Sequence, residues 1–84
     1  MGKRICMVGL GYIGLPTAVL LSNSGHQVLG IDVNGKLIDA INSGSFVPDE
    51  PGLKVLLDQV IKNGSFRANK DYDQADYFII AVPT

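Results

Sequence analysis

Three glycines and one aspartate carry the chemistry that this chain can offer. Gly9, Gly11 and Gly14 fall in the run Gly9-Leu10-Gly11-Tyr12-Ile13-Gly14, directly behind an apolar segment at residues 5–8, and Asp32 stands 18 positions beyond Gly14. None of the four is a nucleophile placed beside a base. Glycines spaced as GxGxxG between a strand and a helix suit a diphosphate, and an acidic residue about 20 positions later suits the hydroxyls of a ribose. The chemistry is therefore recognition of a dinucleotide.

Each glycine has its own physical task. Gly9 turns the chain sharply out of the strand. Gly11 keeps its backbone bare so that a pyrophosphate can approach, and Gly14 lets the following helix pack closely. The anion then rests on amides of the helix's first turn, whose N–H groups have no intrahelical partner and lie at the positive end of the helix dipole. Asp32 accepts hydrogen bonds from the adenosine ribose and repels a 2′-phosphate, which favours NAD over NADP.

Placing these groups requires a strand, a tight turn, a helix and a second strand. Residues 3–8 read as a buried parallel strand, an apolar run closed by glycine. Helix A is expected over residues 11–24, with Pro16 early enough to cost little and Gly25 as a left-handed cap. The second strand, residues 27–32, delivers Asp32 at its carboxyl end. Helix B covers residues 35–42 behind an Asn34 N-cap and stops at Gly44. Pro51 is placed in the first turn of helix C, whose N-terminus Asp49 and Glu50 complement; its apolar face is Leu53, Leu56, Leu57, Val60 and Ile61. Residues 66–68 form a short third strand and residues 76–82 a fourth.

Right-handed crossovers put these strands in the order 3-2-1-4, an α/β Rossmann-like parallel sheet with flanking helices. The direction of sheet growth reverses between strands one and four. At that switch point the glycine turn, Asp32 and residues 82–84 converge. A complete dinucleotide domain has two mononucleotide halves; residues 1–84 supply the adenosine and pyrophosphate half and the strand that begins the second.

Composition excludes several alternatives. The 84 residues suffice for one small domain, and 46% hydrophobic and 18% charged residues with net charge −1 describe a globular protein without the basic excess of a nucleic-acid binder. No apolar run reaches the roughly 18 residues needed to cross a bilayer, and no signal-peptide pattern opens the chain, so the cytoplasm is the expected compartment. The single cysteine, Cys6, excludes an intrachain disulfide or a multi-cysteine metal site and reads as a buried structural thiol. His26, at a turn, is a locally bonded imidazole without a catalytic role. No acid, base or nucleophile is placed for hydride transfer, so the catalytic set is empty.

At GLGYIGLPTA (residues 9–18), IDVN (31–34), INSG (41–44), EPGL (50–53) and AVPT (81–84), the chain resembles the N-terminal NAD-binding domain of the UDP-glucose/GDP-mannose dehydrogenase family. Leu-Pro-Thr-Ala after the last glycine and Val-Pro-Thr at residues 82–84 are most similar to the UDP-N-acetylmannosamine branch, while EPGL is equally at home in UDP-glucose dehydrogenases. The resemblance implies a two-step NAD-dependent oxidation of a sugar C6 hydroxyl to a carboxylate through a cysteine-bound intermediate. Its cysteine, lysine and asparagine machinery belongs to later parts of such enzymes and has no counterpart here. What it carries over is cofactor binding by Gly9, Gly11, Tyr12, Ile13, Gly14, Asp32, Val33, Val82 and Thr84. Some members place a basic residue where this chain has Leu37, with Lys36 one position earlier. The expected partners are NAD and, in a full-length enzyme, a nucleotide sugar. The other function class is a stand-alone module that binds NAD or an adenine nucleotide without chemistry. Strand four would leave an open edge, from which self-association follows.

Overall fold

The computed structural model describes residues 2–81. Its elements run β1 (Arg4–Val8), α1 (Gly14–Asn23), β2 (Gln27–Ile31), α2 (Gly35–Ser43), α3 (Leu53–Lys62), β3 (Phe66–Asn69) and β4 (Tyr77–Ile80). All pairings are parallel and the sheet order is β3-β2-β1-β4, as the crossover rule requires. The fourth strand was expected over residues 76–82 and is described as Tyr77–Ile80; Val82 and Thr84 lie outside the described residues.

Strand periodicity decides what is buried. Ile5 and Met7 of β1, Val28 of β2 and Phe66 and Ala68 of β3 project to the face covered by the helices, where they meet Ala18, Val19, Ile38, Ile41, Leu57 and Val60. Burial of this apolar set, at about 25 cal/mol per Å² removed from water, is the main force holding helices to sheet. α2 and α3 are amphipathic and bury one stripe each, whereas α1 is apolar around most of its circumference. Ser22 is buried within α1 and donates its hydroxyl to the Ala18 carbonyl at 2.8 Å, so no buried polar atom is stranded there.

Two helix starts differ from expectation. α1 begins at Gly14, three residues later than expected, because Gly11, Tyr12 and Ile13 remain in the turn. Pro16 is then its third residue, and the bonds from Leu15 N–H to the Gly11 carbonyl and from Thr17 N–H to the Ile13 carbonyl, both 3.2 Å, close on either side of the missing donor. α3 begins at Leu53, not at Pro51. Gly52 takes a left-handed conformation at φ 84°, which ends any helical path through Pro51, and the Leu53 amide donates to the Glu50 backbone carbonyl at 3.3 Å. Asp49 and Glu50 precede this turn and lie outside the first turn of α3.

α2 follows the sequence closely. The Asn34 side chain accepts the Leu37 N–H at 3.2 Å, and Gly44 closes the helix with φ 82°. His26 accepts the Lys3 N–H through Nδ1 at 3.0 Å, a local bond as expected, and Cys6 is buried with Sγ 3.7 Å from the Asp73 carbonyl.

Candidate dinucleotide site

Three strand ends meet at one level. The Gly9 amide donates to the Ile31 carbonyl at 2.7 Å, the Asp32 amide to the Asn69 carbonyl at 3.2 Å, and the Ala81 amide to the Val8 carbonyl at 2.7 Å. These bonds extend the three ladders by one step beyond the strands. They set Gly9, Asp32 and Ala81 side by side at the carboxyl edge of the sheet, where ligands of open α/β folds bind.

The turn itself depends on two of the glycines in different ways. Gly9 has φ 98°, which only glycine adopts freely. A Cβ on Gly14 would stand 1.8 Å from the Gly9 carbonyl oxygen and 3.4 Å from the Ala81 Cβ, so the first residue of α1 is pressed against the turn and the β4 end as much as against the sheet. At Gly11 a Cβ would meet nothing within 4 Å; that space stays open above the backbone. Among the described residues, the amides of Gly11, Tyr12, Ile13 and Gly14 have no backbone or side-chain acceptor, and α1 has no side-chain N-cap. Unpaired donors at a helix start, facing an unblocked hollow, fit a phosphate.

Asp32 faces this turn. Its Oδ2 accepts the Leu10 N–H at 3.0 Å and its Oδ1 accepts the Asn34 N–H at 3.0 Å. A carboxylate offers about four acceptor positions, so about two remain for sugar hydroxyls. The two amide bonds orient the group before any ligand arrives. The side chains of Tyr12, Ile13 and Val33 are exposed around the same edge, while Val82 and Thr84 lie beyond the described residues.

Sequence reasoning missed two supports. Leu10 is buried, and its side chain fills the space over Gly30, where a Cβ would come within 2.6 Å of Leu10 Cδ2 and 3.0 Å of Phe66 Cε1. A glycine inside an apolar strand was the available signal. Asn34 serves twice, capping α2 with its side chain and holding Asp32 with its amide.

A cavity of about 300 Å³ borders the other side of the turn, lined by Gly11, Tyr12, Leu37, Phe46, Asp49 and Glu50 among others. Asp32 is not part of its wall. Its only charged lining groups are the Asp49 and Glu50 carboxylates, which oppose an anion. No group of three or more His, Cys, Asp or Glu residues able to hold a metal occurs among the described residues.

Comparison with known proteins places the fold in a family. The chain is 46% identical over 82 residues to the UDP-N-acetyl-D-mannosamine dehydrogenase of Methanococcus vannielii, covering 98% of this chain and 19% of that protein. The native structure of the UDP-N-acetyl-mannosamine dehydrogenase from Staphylococcus aureus superimposes with a TM-score of 0.91 at 40% identity, over 95% of this chain and 19% of that one. A ternary complex of GDP-mannose dehydrogenase from Pseudomonas aeruginosa gives 0.90 at 40% identity, over 96% and 20%. The chain thus spans about a fifth of the length of these relatives. Residues 3–84 match the NAD binding domain of the UDP-glucose/GDP-mannose dehydrogenase family, and to that family the chain belongs.

Proposed function

We propose that this chain is the cofactor-holding part of a nucleotide-sugar 6-dehydrogenase of the UDP-N-acetylmannosamine or UDP-glucose type, with the sugar-oxidising residues supplied by further domains. In such an enzyme NAD accepts the hydride as the C6 hydroxyl is oxidised toward a carboxylate. The work of these residues is to bind and orient. The hollow over Gly9, Gly11 and Gly14 receives the pyrophosphate on the amides of Tyr12, Ile13 and Gly14. Asp32, with Val33 beside it, grips the adenosine ribose, and Val82 and Thr84 flank the dinucleotide. The chain alone binds NAD and catalyses nothing. The assembled protein is cytoplasmic, takes a nucleotide sugar as substrate and forms a homo-oligomer.

The observation that carries this reading is the pair of amide bonds that turns the Asp32 carboxylate toward the glycine turn. Calorimetric titration with NAD, ADP-ribose and NADP tests it. The first two are expected to bind and NADP to bind more weakly. Absence of binding by NAD and ADP-ribose, or a preference for NADP, refutes it. Asp32→Ala is expected to weaken ADP-ribose by about tenfold, the loss of one to two charge-assisted hydrogen bonds.

A further inference from the structure

One cation beside this site has no structural employment. Lys70 follows Asn69, whose carbonyl accepts the Asp32 amide, and its side chain crosses from β3 to the start of α2. Its Cε and Nζ lie 3.4 and 3.5 Å from where a Cβ on Gly35 would stand. No carboxylate among the described residues forms an ion pair with it; those present are Arg4 with Asp73 and Lys54 with Asp58. Gly35 is the first residue of α2, where the helix dipole is positive and a cation is disfavoured. Lys70 therefore does not support the helix it lies against.

Its position relative to Asp32 suggests another task. Asp32 holds the Asn34 amide, and the Lys70 side chain lies against the next residue, Gly35. A ribose gripped by Asp32, with its 5′ carbon directed to the glycine turn, presents its 2′ edge away from that turn, toward α2 and the end of β3. We propose that Lys70 is a specificity-determining residue at the ribose end: its ammonium offsets part of the repulsion between Asp32 and a 2′-phosphate, so that discrimination against 2′-phosphorylated dinucleotides is partial. This inference rests on the reading of Asp32 as the ribose-binding group.

The test compares ADP-ribose with 2′-phospho-ADP-ribose by calorimetry on the native chain and on Lys70→Met, Lys70→Glu and Lys36→Met, each checked for native circular dichroism. The native chain binds ADP-ribose more tightly and the 2′-phosphorylated ligand measurably. Lys70→Met weakens the 2′-phosphorylated ligand about fivefold and ADP-ribose less than about twofold, as expected for one screened surface charge near a dianion. Lys70→Glu weakens it further, and Lys36→Met, which removes the same charge at the residue next to Gly35, has the smaller effect. The proposal is overturned if the native chain binds ADP-ribose but not its 2′-phosphate, if Lys70→Met weakens both ligands equally or neither, or if Lys36→Met matches it. Failure of the native chain to bind ADP-ribose defeats the ribose-site reading, and this inference with it.

Discussion

The two edges of the sheet are finished differently. On β3 the carbonyls of Ser65 and Asn69 face β2, so the polar groups of Ala68 point outward. There the Asn42 side chain of α2 donates Nδ2 to the Ala68 carbonyl at 2.8 Å and accepts the Ala68 N–H at Oδ1 at 3.0 Å. One amide side chain thus occupies both outward groups of Ala68 on a short edge strand, which blunts that part of the edge. β4 at the other end has no such plug among the described residues, and Tyr77, Phe78, Ile79 and Ile80 are all exposed. The lesson is directional: β3 is finished at Ala68 by a side chain of the neighbouring helix, whereas β4 is left uncovered among the described residues.

Five substitutions test the contrast. The largest effect is expected at the covered centre, where Met7 is 0% exposed. Met7→Ala should cost about 2–5 kcal/mol in urea unfolding, against about 0.5 kcal/mol or less for Ile80→Ala, which is 71% exposed. Equal losses would mean that β4 is as well packed as β1. Next is Gly14→Ala, which drives a Cβ into the Gly9 carbonyl and should cost about 1–3 kcal/mol and abolish NAD binding. Asn42→Ala strips the plug from β3 and should cost about 1–2 kcal/mol, with faster amide exchange at Ala68 as its signature. The smallest change in stability belongs to Ile80→Lys, within about 0.5 kcal/mol, but sedimentation should show less self-association than the native chain. Self-association unchanged by Ile80→Lys and raised by Asn42→Ala would assign the sticky edge to β3 instead.

Much of the site was legible in the residues because its requirements are local. A positive φ at Gly9 and a close approach at Gly14 are demands that only glycine meets, and Asp32 follows from the length of one βα unit. The cap at Asn34 and the stop at Gly44 are likewise short-range. Expectation failed where two local signals competed. Asp49, Glu50 and Pro51 resemble a helix start, but Gly52 in the left-handed region postpones α3 to Leu53. The helix expected from residue 11 starts at Gly14, and the geometry of the turn leaves the Tyr12 and Ile13 amides unpaired among the described residues.

Residue types and spacing alone determined the strand order, the dinucleotide turn and the carboxylate beside it, because steric permission and crossover handedness act over a few residues or one unit. Only the tertiary structure decided that Leu10 locks into Gly30, that the Leu10 and Asn34 amides aim Asp32, and that Asn42 closes one edge while β4 stays bare. β1 and β4 read alike as apolar runs, yet one is buried and the other exposed. Burial depends on which elements lie on either side of a strand, and that is a property of the assembled layers rather than of the run itself.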